Sequence, residues 1–354
     1  MKSPTIDFTG QDLFVGIDTH DRQWKITVRT QNIPLRTLSI NPDPKDLKNF
    51  LHKHYPGAHY SSVYEAGFCG FWIHRQLHEY GINNIIVNPA DVPTSHKEKD
   101  YRNDVIDSRK LARELSKNNL IAIYVPSELE QHLRSLSRVR AKTSQNITRV
   151  CNRIKAHLHF SGIKMPSRSE TSHWSARFIV WLENVEFSHQ PGKDALMLYL
   201  EELKEHRQRL LKVMRLLRHY ASEAHLKPLF ELLYTIPGVG FITAITLFTE
   251  IMDMKRFSSL DHLASFVGLV PSISSSDDKT TQKGLTNRKN RYLKHLIIES
   301  AWVAIRKDPL LLAKYENLCK RMKKQEAIVR IAKKLLSRIR YVWLNHQPYV
   351  IGID

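Results

Sequence analysis

Hydrophobic and polar residues alternate along the first third of the chain with the short period of strands, broken by stretches with the longer period of helices. Leu13-Phe14-Val15-Gly16-Ile17-Asp18 is an apolar run that ends on a carboxylate and reads as a strand. Trp24-Lys25-Ile26-Thr27-Val28 alternates strictly, and 35–40 continues the pattern, so a three-strand meander is expected. Leu47, Phe50 and Leu51 mark one side of a helix over 44–54. Ser61 to Glu65 is a second strand ending in an acid, and Gly67 and Gly70 allow a sharp turn into a helix over 71–80. Asn84 to Val87 reads as a buried strand, and 121–125 as the last strand of the region. Strands mixed with helices in this order predict an α/β fold opened by an antiparallel meander.

Between 84–87 and 121–125 lies Asn103-Asp104-Val105-Ile106-Asp107-Ser108, preceded by the basic stretch 96–102. Asn103 is a suitable helix cap, with Val105, Ile106, Leu111, Ala112 and Leu115 as the expected buried side. Asp104 and Asp107 are three residues apart, so their carboxylates share one helix face. Acids also suit the positive end of a helix, so the pair by itself is equally a solvated first turn.

From Ser127 the pattern changes to long basic helices. Ser127 with Glu130 fits a capping box, and apolar residues recur every three or four positions from Leu129 to Leu158 and again from Leu196 to Leu217. Residues 161–192 interrupt the rhythm with glycines, prolines and serines. Two narrow apolar stripes joined by a connector predict an antiparallel coiled-coil hairpin. Pro228 opens a third, mostly helical region. There Ile236-Pro237-Gly238-Val239-Gly240 separates two apolar helices in the manner of a helix-hairpin-helix, whose Gly238 and Gly240 let backbone N–H groups approach a phosphate. A further short helix is expected over 261–267. The Ser-rich stretch 268–284 reads as an irregular loop, followed by basic helices over 287–306 and 320–344. The stripe of the last is Ile328, Ile331, Leu335, Ile339 and Val342.

Composition sharpens the picture. The 354 residues carry 54 lysines and arginines against 35 acids, a net charge of +19, which points to a polyanionic partner such as nucleic acid. A hydrophobic share of 42% supports sizeable cores, yet no run has the length of a bilayer span, which disfavours a membrane partner. The first ten residues lack the basic start and apolar core of a signal peptide. Cys69, Cys151 and Cys319 are odd in number and far apart, which argues for a reducing compartment and against a disulfide frame. The histidine pairs His52/His54 and His157/His159 lack the companions of a zinc site, and His20 beside Asp18 reads as an ordinary polar histidine.

Asp18 and Glu65 at strand ends, with Asp104 and Asp107 on a helix, are four carboxylates that one sheet can bring together. Oxygen-only donors near a phosphate favour Mg²⁺ or Mn²⁺. Two such ions suit phosphodiester chemistry.

The ordered set of Asp18, Glu65, Asp104-x-x-Asp107, the coiled coil, Ile236-Pro237-Gly238-Val239-Gly240, Arg256-Phe257, Gly268-Leu269-Val270-Pro271 and Ala327-Ile328 through Lys334-Leu335-Leu336 resembles the IS110 family of insertion-sequence transposases, which also includes pilin-gene-inverting recombinases. The resemblance implies a RuvC-like, RNase H-fold domain over 1–126 with Asp18, Glu65, Asp104 and Asp107 as metal ligands. It implies a coiled-coil region over 127–225 and a mostly α transposase domain over 226–354. The family's serine nucleophile falls five residues after the proline of Gly-Leu-Val-Pro, on Ser276, with Ser274 and Ser275 adjacent. Asp277 and Asp278 follow where the family has glycine. Lys279, Lys283 and Arg291 are candidate nucleic-acid contacts with Gly238 and Gly240. The resemblance further implies a bacterial, cytoplasmic, nucleoid-associated enzyme that acts on donor and target DNA. Its expected partners are a structured guide (bridge) RNA and further copies of itself, two to four chains in all. A metal-dependent junction endonuclease using water, a DNA inversion recombinase and a non-catalytic nucleic-acid-binding protein remain the alternatives.

Overall fold

The computed structural model describes residues 7–94, 103–276, 279–285 and 289–352, with the backbone alone over 272–285. The chain forms two compact units, Met1–Val125 and Pro126–Asp354.

The first unit is built on a five-stranded sheet. Strands β1 (Asp12–Asp18), β2 (Trp24–Arg29) and β3 (Pro34–Ile40) form the expected meander. Strands β4 (His59–Glu65) and β5 (Asn83–Val87) add to it in parallel with β1, giving the order β3-β2-β1-β4-β5. Leu13, Val15 and Ile17 alternate to one face of β1 and share a core with Leu47 and Leu51 of helix α1 (Pro44–His54) and Ile73 and Leu77 of α2 (Trp72–Glu79). The opposite face carries α3 (Asp104–Ser116), whose N-terminus Asn103 caps by accepting a hydrogen bond from the Val105 N–H.

Two expectations about this unit need correction. The stretch 121–125 is not a strand; it touches the sheet through one bridge, Ala122 to Val87. On α3 the expected Leu111 and Ala112 are buried, but Ser108, Lys110, Glu114 and Ser116 join them, while Val105, Ile106 and Leu115 are only half-buried. The cause is Gly16. A Cβ there would stand 2.1 Å from the Ser108 carbonyl oxygen and 2.4 Å from the Ala112 nitrogen, so the helix lies against the bare backbone of β1 through its small residues. Thr27, paired with Gly16 on β2, meets the Ser108 hydroxyl at 3.0 Å, and Val63, paired with it on β4, packs with Leu111.

In the second unit, α4 (Glu128–Phe160) starts at the expected capping box and runs antiparallel to α6 (Gln190–Ala221). Arg153 pairs with Glu202 at 2.7 Å, and the His157 ring meets the Gly192 carbonyl at 2.8 Å. The connector holds a helix not foreseen in the sequence, α5 (Ala176–Asn184), whose Phe178 and Leu182 close the core between the long helices. A second core gathers α7 (Lys227–Tyr234), α8 (Phe241–Ile251), α9 (Leu260–Val267), α10 (Leu293–Ala304), α11 (Pro309–Cys319) and α12 (Lys324–Asn345). All five stripe residues of α12 are buried, as its periodicity requires. The helix α11 was not foreseen, and α10 begins later than 287, after a turn in which the Asn290 side chain accepts hydrogen bonds from the N–H groups of Tyr292 and Leu293. The Ser-rich stretch is no irregular loop. Strands β6 (Pro271–Ser276) and β7 (Lys279–Leu285) pair antiparallel, and a serine-rich strand becomes visible only beside its threonine-bearing partner.

Candidate active site

Asp18 and Glu65 close their strands two residues beyond the paired positions Gly16 and Val63. The two-residue period of a strand therefore sends both carboxyls to the face that α3 covers. Because α3 rests on Gly16 by its own backbone, its first turn comes down beside those strand ends. Asp104 and Asp107 are thus delivered to the carboxyl end of the parallel strands, where open α/β sheets place their sites.

The four acids meet through two side chains, His20 and Lys110. The His20 ring nitrogen Nε2 lies 3.3 Å from an Asp18 oxygen and 3.7 Å from an Asp104 oxygen. The Lys110 Nζ donates to Asp107 at 2.9 Å and stands 3.7 Å from Glu65. Burial raises the Asp18 carboxyl above its ordinary value, with His20 opposing and Asp104 and Asp107 adding to the rise. Glu65 is likewise raised by burial, opposed by Lys110 and reinforced by Asp107 and Asp18. Asp18 thus lies in the field of both helix carboxylates and Glu65 in the fields of Asp107 and Asp18, which links the four into one electrostatic cluster. Ligand atoms of Asp18, His20 and Asp104 lie within 4.8 Å of one another. Donors on a common divalent ion stand up to about 4 Å apart, so this set fits such an ion after a small inward adjustment.

The sequence reading passed over Lys110 and treated His20 as unremarkable. A trace of Lys110 was there, one helical turn after Asp107. For His20 the trace was its place two residues after Asp18, but its meeting with Asp104 spans more than eighty residues.

The serine candidates lie in the second unit. Ser276 ends β6 and pairs with Lys279, the first residue of β7; Ser274 pairs with Thr281 and Ser275 with Thr280, while Lys283 pairs with Ser272. Asp277 and Asp278 lie outside the described residues, as does the basic stretch 96–102. After the hairpin, Asn290 donates to the buried Glu250 at 2.7 Å, and Arg138 grips the same carboxylate with two bonds of 2.8 and 2.9 Å. This network ties the end of the hairpin segment to α8 and α4. Arg291 is exposed, its guanidinium against the Tyr292 ring.

Gly238 has φ +83°, and a Cβ there would stand 2.2 Å from the Ser300 carbonyl oxygen, so its glycine character serves packing against α10. Gly240 has open space around it and precedes α8 without a side-chain cap. Both line a cavity of about 420 Å³ that Lys307 also borders.

Family comparisons agree with this layout. Residues 15–162 match the DEDD transposase model of IS110 elements, and residues 230–316 match the model of the IS116/IS110/IS902 transposase family. The transposase for insertion sequence element IS1533 of Leptospira borgpetersenii is 24% identical over 82% of this chain and 84% of its own length. That for element IS1111A of Coxiella burnetii is 25% identical over 69% of this chain and 65% of its own length. The Sinorhizobium fredii protein y4qE, which bears a transposase name, is 28% identical over 69% of this chain, and the match spans 58% of y4qE. By class, then, these are the two parts of a transposase, an acidic α/β unit followed by a helical unit. The chain belongs to the IS110 family of transposases. Among the described residues, no helix is long and apolar enough to cross a membrane.

Proposed function

We propose that this chain cuts and rejoins DNA, using Asp18, Glu65, Asp104 and Asp107 as a divalent-metal site and Ser276 as the nucleophile. The observation that carries the reading is the convergence of four carboxylates, from two strand ends and one helix, in a chain of the IS110 family. The mixed sheet order β3-β2-β1-β4-β5, with a helix bearing two of the acids on one face, supports an RNase H-like, RuvC-like fold for 1–126. The long helix pair then serves as the coiled-coil region 127–225, and 226–354 as the transposase domain.

Mg²⁺ is the expected ion, with Mn²⁺ able to replace it; when bound, it withdraws charge from the scissile phosphate. The Ser276 oxygen bonds to phosphorus as the bond to one deoxyribose oxygen breaks. The serine proton passes to a carboxylate of the acidic cluster, and the departing sugar oxygen takes up a proton. A sugar hydroxyl from the second duplex then displaces the serine, so each ester is exchanged for another and no ATP is consumed. Gly238 and Gly240, with Lys279, Lys283 and Arg291, hold phosphates of the backbone. A net charge of +19 without a base-reading module suits a protein whose target is chosen by a paired guide RNA. Holding two duplexes calls for two to four chains, with the acidic centre of one chain serving the serine of another and the coiled coils as joints.

The test is capture of a denaturation-resistant protein–DNA adduct on a substrate carrying the element's end, with its guide RNA and Mg²⁺. Wild type is expected to give the adduct; Ser276→Ala and Asp104→Asn are expected to give none. Hydrolysed ends from Ser276→Ala at the wild-type rate would replace this reading with a water-using junction endonuclease.

A further inference from the structure

We propose that the part of β2 and β3 left uncovered beside α3 is a phosphate shelf that leads the DNA strand into the acidic centre, with Lys25, Arg109, Arg113 and Arg29 as its cations. The proposal rests on the metal reading above and adds the path by which the substrate reaches the four acids.

Side chains alternate along both strands. Trp24, Ile26 and Val28 of β2, with Leu38 and Ile40 of β3, go to the core shared with α1 and α2. Lys25, Thr27 and Arg29, with Thr37 and Ser39, therefore go to the face that carries α3. In register, Lys25 stands between Asp18 and Ser39, and Thr27 between Gly16 and Thr37. Thr27 is buried under the helix, but Lys25, Arg29, Thr37 and Ser39 are only half-buried. This polar strip lies on the outer side of the sheet, whose edge is β3, and it begins beside a ligand of the proposed ion.

The acids do not take up its cations. Lys25 is in register with Asp18, yet its ammonium donates to the Ser39 hydroxyl at 2.6 Å and makes no ion pair among the described residues. Arg109, exposed on α3, donates from Nε to Thr37 at 3.2 Å, and its two terminal nitrogens make no hydrogen bond among the described residues. Further along, burial and the neighbouring charge of Arg113 hold the Arg29 guanidinium below its ordinary value. Glu114, buried and bonded to Arg113 at 2.7 Å, answers one of these charges. The strip keeps an excess of positive charge, which fits a polyanion.

Its length and direction fit a strand of nucleic acid. Lys25 to Arg29 is four residues of β-strand, about 13 Å at roughly 3.3 Å each. Arg109 to Arg113 is one turn of α3, about 6 Å. Both rows run away from the acids. Phosphates along one strand of a duplex advance by about 3.4 Å, so the shelf spans about four nucleotides. A guide RNA carries the same phosphates, but the strip ends at Asp18, where the phosphate to be cut must sit. That continuity selects DNA.

The test is methylphosphonate substitution, which removes the charge of one phosphate at a time. The probe is element-end DNA bound by full-length protein with its guide RNA, read by fluorescence anisotropy. Wild type is expected to bind about fivefold more weakly when a phosphate within about four nucleotides on one side of the cleavage point is neutralised. Lys25→Gln and Arg109→Gln are each expected to weaken binding of unmodified DNA by about fivefold and to lower the salt slope by about one. Each should be indifferent to the methylphosphonate that faces its missing cation. Arg36→Gln removes the same charge from the other face of β3, where the guanidinium lies over the Phe50 ring, and is expected to bind as wild type does. Circular dichroism and an unweakened Mn²⁺ affinity show that the variants keep their fold and acidic centre. A wild-type profile with no sensitive phosphate beside the cleavage point, or folded variants that bind DNA as wild type does, would overturn the proposal and leave the cations as guards of an exposed sheet edge. Variants that lose affinity for the guide RNA alone and keep the wild-type DNA profile would also overturn it, assigning the shelf to RNA. The metal reading fails separately, if wild type binds no Mn²⁺ while its methylphosphonate profile stands.

Discussion

Gly16→Ala adds a single methyl group at the point where β1 and α3 touch. The new carbon would lie 2.1 Å from the Ser108 carbonyl oxygen and 2.4 Å from the Ala112 nitrogen. The first is about 1.3 Å short of the 3.4 Å at which ordinary contact begins. Both obstacles are backbone, so no rotamer change relieves them and the whole helix must move. Overpacking of this kind costs about 1–3 kcal/mol, and an unyielding neighbour places it at the upper end. The corresponding fall in Tm is roughly 5–15 °C. A helix displaced by about 1 Å also carries Asp104 and Asp107 away from Asp18 and Glu65, where ligand positions must hold to about 0.2 Å. Calorimetry should show the lower Tm, and a Mn²⁺ titration a loss in affinity of about tenfold or more. Gly10→Ala is the control: it also loses a glycine, at φ +72°, but with nothing within 4 Å and at the other end of β1, so ion binding should stay unchanged. A Gly16→Ala protein that melts with wild type and binds the ion undiminished would refute the idea that this close approach positions the acids.

The raised pKa of Asp18 sets a pH dependence with a definite sign. A carboxyl raised in the folded state binds its proton more tightly there than in the unfolded chain, so it favours folding at low pH and this contribution is lost as pH rises through the raised value. Asp18→Asn should therefore raise the Tm of the metal-free protein at neutral pH while abolishing ion binding; a lower Tm would show that Asp18 is held by its partners more than it is opposed by burial. Ion affinity in wild type should fall as pH drops through the raised values of Asp18 and Glu65. In the second unit, Glu250→Gln breaks the pair with Arg138 around a carboxylate that is 2% exposed, at an expected cost of about 3 kcal/mol in denaturant unfolding. A change below about 1 kcal/mol would mean that the Asn290 and Arg138 contacts are dispensable.

Local features of the chain carried much of this structure. The capping box at Ser127, the Asn103 cap and the buried stripe of α12 all follow from interactions within a few residues, and these are what a sequence pattern records. The same holds for strands that end in Asp18 and Glu65 and for a helix turn that presents Asp104 and Asp107 together. Elements that depend on a distant neighbour were less legible. Ala176–Asn184 is helical around residues that fill a gap between α4 and α6, and the Ser-rich strand exists by pairing with β7. The stretch 121–125 has strand composition but only one bridge to the sheet.

What the sequence determined by itself was the inventory: which acids stand at element ends, how the helices are punctuated, and the family pattern that orders them. What only the tertiary structure decided was who meets whom. Parallel register sets Gly16 beside Val63, and so sends Asp18 and Glu65 to one face; the bare backbone at Gly16 admits α3; and that approach brings His20 to Asp104 and Lys110 to Glu65. Each of these meetings joins residues dozens of positions apart. Their distance is fixed by strand pairing and helix seating, and a one-dimensional pattern contains neither.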